Sequence, residues 1–75
     1  MTIIDDNFSF DKWLDEEMKA KGINKFSLAR RSGLTHVLIA YYLAETRNPS
    51  LYNFRKLIDG LGMQIVLEDK RNDTG

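Results

Sequence analysis

Glycines at positions 22 and 33 and a proline at 49 cut this chain into short pieces, and a residue able to cap a helix stands just before each piece: Ser9, Asn24, Thr35 and Ser50. Glycine offers the left-handed backbone on which helices stop, and proline both removes a donor and disfavours helix just before it. Such a chain folds as several short helices or not at all.

The apolar periods agree. Phe10, Trp13, Leu14 and Met18 fall at i, i+3, i+4 and i+8, one face of a helix. With Ser9 as cap, Asp11 in the first turn and Lys19 and Lys21 in the last, this helix is expected from about Phe10 to Lys21. A second, from Lys25 to Ser32, turns Leu28 and Ala29 inward; the small Ala29 permits close approach of another helix. A third follows Thr35, from His36 to about Ala44. Thr46-Arg47-Asn48-Pro49 reads as a polar loop. A fourth follows Ser50, with Leu51, Phe54, Leu57, Ile58 and Leu61 at helical spacing and Gly60 and Gly62 weakening its end. Beyond it the period changes: Met63 to Glu68 is rich in apolar and β-branched residues and too short for a helix, so a strand is expected.

The expected architecture is therefore all-α: a compact four-helix domain over residues 10–62 with a helix-turn-helix, plus a short C-terminal β-strand at 63–68. Residues 1–9 form an N-terminal arm and 69–75 a disordered polar tail. A lone strand leaves backbone groups unpaired, so 63–68 is a possible dimer contact; its partner is either the same strand of a second copy or Thr2-Ile3-Ile4. Seventy-five residues fit one domain with a thin core, and no cysteine is available to staple it. Help from a second subunit is expected.

Composition narrows the function. Asp5 and Asp6 stand where a secretory signal needs a basic start and an apolar run, and no stretch approaches the roughly 20 apolar residues that span a bilayer. A cytoplasmic protein without a membrane partner is expected. His36 is the sole histidine, so repeated metal ligands and a Ser-His-Asp set are both out of reach. Asp15-Glu16-Glu17 fits an exposed face of the first helix better than an acid–base pair, and Trp13 fits the core better than a stacking platform. No glycine-rich phosphate loop occurs. No enzyme, cofactor or metal site is expected.

The formal charge is zero, but it is unevenly spread. Residues 1–24 carry six acidic and three basic side chains, net −3; residues 25–56 carry six basic and one acidic, net +5; residues 57–75 carry four acidic and two basic, net −2. A basic middle between acidic ends matters more for phosphate binding than the total does.

That basic middle holds the informative motif. Ser32-Gly33-Leu34-Thr35 joins two short helices: glycine accepts the turn, Leu34 plugs the angle between the helices, and Thr35 starts the second. This is the helix-turn-helix arrangement, whose second helix enters the DNA major groove. About Ile39, at 100° per residue, Tyr42 and Leu43 share the inward side of that helix. Val37, Ala40, Tyr41 and Ala44 point away, and His36 is freed by its place in the first turn. An apolar outward stripe is unusual for a surface helix; it suits thymine methyls, with His36 bonding a base acceptor, and it also suits a protein contact. Lys25 lies where free N–H groups and the helix dipole favour phosphate. Phe26 reads equally as core or as a subunit contact.

Gly22, Ile23, Asn24 and Lys25, then Leu28-Ala29, Gly33-Leu34-Thr35, Ile39, Arg47-Asn48-Pro49-Ser50-Leu51 and Leu61-Gly62 resemble, in order and spacing, the Cro and lambda-repressor family of helix-turn-helix regulators. Leu43 and Glu45 depart from the Glu and Gly common at those places. The resemblance implies base reading by His36, Val37, Ala40 and Tyr41 and phosphate contacts at Lys25, Thr35, Arg47 and Asn48. It implies a cytoplasmic homodimer on a palindromic double-stranded DNA operator, a transcriptional repressor of phage or mobile-element type. The alternative it allows is the antitoxin of a toxin–antitoxin module, which binds a toxin protein and regulates its own operon.

Overall fold

The computed structural model describes residues 1–44 and 47–70. Among these are four helices: α1 (Phe10–Lys21), α2 (Lys25–Ser32), α3 (His36–Leu43) and α4 (Leu51–Gly60). Three begin as capped helices should. The Asn24 side chain accepts from the Ser27 N–H at 2.9 Å, Thr35 Oγ1 from Leu38 at 3.2 Å and Ser50 Oγ from Asn53 at 3.1 Å. Each bond satisfies a first-turn donor that has no partner inside its helix, which is worth about 1 kcal/mol. Ser9 differs: its side chain does not cap α1 and instead donates to Asp11 Oδ1 at 2.7 Å.

The helix ends explain how the chain changes direction. Beyond α1 and α4 stand the left-handed glycines Gly22 and Gly62, and the residue after each reaches back to the last turn: the Ile23 N–H donates to the Met18 carbonyl at 2.9 Å and that of Met63 to Ile58 at 3.0 Å. The end of α2 is tighter. Gly33, at φ +75°, donates to the Ala29 carbonyl at 2.9 Å, and the Leu34 N–H turns instead to Ser32 Oγ at 3.3 Å. A residue with a Cβ is strained at that φ. The backbone is thereby redirected within three residues, Gly33 to Thr35, into α3.

Packing follows the apolar stripes. α2 lies against both α3 and α4, and α1 lies against α3. Leu14, Leu28, Ile39, Tyr42 and Leu57 are buried at the centre. Rings bridge α1 and α4: Phe10 and Trp13 each meet Phe54, with centroids at 5.8 and 6.0 Å. Tyr42 packs edge-on against Phe10, and its hydroxyl accepts from Asn53 Nδ2 at 3.1 Å. That bond ties the rotation of α3 to α4 and satisfies a buried polar tip.

The α2–α4 crossing is especially close. A Cβ built on Gly60 would stand 3.0 Å from both the Cβ and the backbone nitrogen of Ser32. Gly60 therefore does more than weaken the end of α4; it lets two helix backbones touch.

Several expectations need correction. Leu51 is 72% exposed rather than inward, because the first turn of α4 extends past the core; neither Leu51 nor Tyr52 is buried. α3 ends at Leu43, one residue short of Ala44. The expected strand at 63–68 has no regular structure, nor does 2–4, so these two segments do not pair within the chain. Met63 packs on the core, whereas Val66 and Leu67 are exposed. Glu45, Thr46 and most of the expected disordered tail, 71–75, lie outside the described residues. Among the described residues no helix is long and apolar enough to cross a membrane.

Candidate nucleic-acid interface

α3 is the least ordinary surface of the molecule. Its eight residues, His-Val-Leu-Ile-Ala-Tyr-Tyr-Leu, include no Asp, Glu, Lys or Arg, so it is apolar on every side. A helix apolar all round is normally buried all round. This one is not. Ile39 and Tyr42 are buried, but Val37 is 51% and Tyr41 45% exposed, with Ala40 half-buried between them. The expected division of the wheel holds for Val37 and Tyr41 and partly for Ala40.

His36 opens α3 on the same side and is exposed. Its ring meets that of Phe26, with centroids 4.7 Å apart and planes at 44°. Phe26 is itself 55% exposed, so it belongs to no core. The wheel of α2 carries the signal: Phe26 lies about 200° from Leu28, on the outward side. What the spacing does not reveal is that this outward direction points at the first residue of the next helix. A shallow groove runs between the starts of α2 and α3, bordered by Phe26, Ala29, Leu34, His36 and Val37.

Cations stand at both ends of this surface. Lys25 Nζ lies 5.4 Å from the Phe26 centroid, and the Arg47 guanidinium carbon lies 4.9 Å from that of Tyr41. Contacts of this kind are worth about 0.5–1 kcal/mol at exposed sites. They hold two cations beside the apolar stripe without neutralising them. Thr35 is exposed and spends one lone pair on capping α3, which leaves its O–H able to donate. Asn48 is exposed next to Arg47. Of the eight residues expected to contact DNA, six take part in these arrangements: Lys25 and His36 meet through Phe26, Thr35 and Val37 border the same groove, and Tyr41 and Arg47 form a separate pair.

The other candidates resolve differently. In the acidic run of α1, Asp15 pairs with Lys19 at 2.8 Å and Glu17 with Lys21 at 2.7 Å, both one helical turn apart. The hydrogen bond and charge of Asp15 lift the Lys19 ammonium above its ordinary range. These are the side-chain pairs of a solvated helix face. Among the described residues no cluster of His, Cys, Asp or Glu could hold a metal ion. Trp13 is buried in the aromatic cluster, and its indole N–H finds no partner.

Compared with known proteins, the chain matches no family model, no curated protein and no solved structure.

Proposed function

We propose that α2 and α3 act as a helix-turn-helix and that the protein is a sequence-specific double-stranded DNA-binding transcriptional repressor of phage or mobile-element type. The observation that carries this reading is α3 itself, an uncharged helix half out of the core with Lys25 at one end and Arg47 at the other. A major groove offers what such a helix lacks: thymine methyls and base edges along its floor, phosphates along its walls. Val37, Ala40 and Tyr41 then supply apolar base contacts and His36 a hydrogen bond. Lys25, Thr35, Arg47 and Asn48 fix the register on the backbone.

Repression would follow from occupancy of a promoter by a homodimer, with two copies of α3 about 34 Å apart on a palindromic site. Exposed Leu51, Tyr52, Val66 and Leu67 favour a protein partner beyond DNA. A second copy is the partner proposed here, and a toxin is the competing one, which would make the chain an antitoxin.

Selection from random duplex DNA with wild type, Val37→Ala and Tyr41→Ala tests the reading. A palindromic preferred site, altered in the variants at unchanged thermal stability, supports it. Identical sites from all three would assign the stripe to a protein contact instead. A monomer at micromolar concentration that co-purifies stoichiometrically with the product of a neighbouring gene would favour the antitoxin.

A further inference from the structure

We infer that Phe26 is a positioning residue for His36, and that the two rings in contact read one base position as a unit. The inference rests on the proposed DNA-reading function and extends it to a residue of α2 that faces away from the core.

Both rings sit on fixed backbone. α2 is capped by Asn24 and anchored through buried Leu28; α3 is capped by Thr35 and anchored through buried Ile39. The side chains themselves are free of the core, Phe26 being 55% exposed and His36 exposed. An exposed histidine in the first turn of a helix would ordinarily sample several rotamers, and ordering it on a base costs affinity. Contact with Phe26 at 4.7 Å between centroids restricts the imidazole before DNA arrives. The groove beside this pair is completed by Val37, so the restricted imidazole and the first apolar base contact share one surface. Lys25 Nζ lies 5.4 Å from the centroid of the same Phe26 ring, so a phosphate clamp and a base reader share a single aromatic. Phe26 thus couples the register set by the backbone to the base that His36 meets.

A large exposed aromatic here has no duty in the core, and its contacts with Lys25 and His36 stabilise the fold only slightly. Its removal opens no core cavity, and α2 keeps its cap. A direct sugar–phosphate contact by Phe26 is the alternative role, and it differs in outcome: that loss would be the same for every DNA sequence.

The test is selection from random duplex DNA with wild type, Phe26→Ala, Phe26→Leu, Phe26→Tyr, His36→Ala and the Phe26→Ala/His36→Ala double variant. Histidine ring-proton shifts are measured on the free proteins alongside. Phe26→Ala should relax preference at the same half-site position as His36→Ala, by roughly 2- to 10-fold, the cost of ordering one side chain. The double variant should match His36→Ala alone. Phe26→Tyr should retain the wild-type preference and Phe26→Leu should not. In the free protein, Phe26→Ala should move the His36 ring protons toward the positions of an imidazole without a ring neighbour, with the melting temperature lowered by only a few degrees, as the loss of exposed contacts allows.

Several results overturn the inference alone: a wild-type preference kept by Phe26→Ala or Phe26→Leu, additive losses in the double variant, or an equal loss for all sequences. A wild type that enriches no sequence overturns the DNA-reading function itself, and the inference with it.

Discussion

α3 and α4 both present large apolar side chains to solvent, but their surroundings differ. On α3, Val37 and Tyr41 lie on a regular helix, with His36 tilted against Phe26 at one end and Arg47 folded over Tyr41 at the other. On α4, Leu51 and Tyr52 occupy a first turn that overhangs the core, and Tyr52 shares a shallow depression with Ile65. Ile65 belongs to residues 63–70, which form no helix or strand. The first surface offers side chains only, because the backbone of α3 is spent on its own helix. The second adds a length of chain whose N–H and C=O groups are not engaged in a ladder, the kind of edge another polypeptide can pair with. Exposed apolar area therefore takes two forms within one small domain, which the proposed function assigns to different partners: on α3 it stands on a closed helix, and on the α4 side it lies beside unladdered backbone at residues 65–67.

The largest expected effect separates the two sides of α3 itself. Ile39→Ala should destabilise the fold by about 2–5 kcal/mol in chemical denaturation, since Ile39 is fully buried. Val37→Ala, two residues away, should leave stability within about 0.5 kcal/mol. Equal losses would mean that α3 has no free face.

Next is the other surface. Val66→Asp and Leu67→Asp should each weaken self-association by about 1.5–3 kcal/mol in sedimentation equilibrium while leaving monomer stability intact. Variants that associate like wild type would dissolve the contrast between the two regions.

Base reading should be smaller and more local. Val37→Ala and Tyr41→Ala should each lose about 1–3 kcal/mol of discrimination at a single half-site position, read from competition binding. A uniform loss would move these residues from the groove floor to its walls.

The smallest effect tests those walls. Lys25→Ala and Arg47→Ala should each reduce the slope of log affinity against log salt by about one unit, alike for every sequence. Unchanged slopes would place both cations away from phosphate.

Much of this fold could be read from residue order because its boundaries are chemical. Asn24, Thr35 and Ser50 carry acceptors suited to a helix start, and Gly22 and Gly33 end helices by their backbone freedom, so the limits of α2 follow residue by residue. Depth was harder. A wheel gives the direction of Leu51 but not whether the core extends that far. The 63–68 segment has strand composition, yet a strand exists only through its partner, and composition names none. Phe26 was ambiguous for a related reason. Its direction could be read from α2, but what lies in that direction depends on how tightly Gly33 and the Ser32 hydroxyl fold α3 back, a tertiary fact.

The contact between Gly60 and Ser32 has a consequence for descent. Positions 36, 37, 40 and 41 are exposed or half-buried, so a lineage derived from this chain can exchange them one at a time at little structural cost, and if α3 reads bases as proposed, each exchange changes the DNA target. Position 60 has no such latitude. Even the smallest side chain there would meet the backbone of α2 at 3.0 Å, and the neighbour that would have to yield is the helix leading into the turn before α3. Diverged copies should therefore vary along the outward stripe of α3 and keep glycine at 60. A replacement that does become established at 60 should arrive with a smaller side chain at 28 or 32 and with α2 displaced by a few tenths of an ångström, because the Ser32 backbone nitrogen remains whatever the side chain.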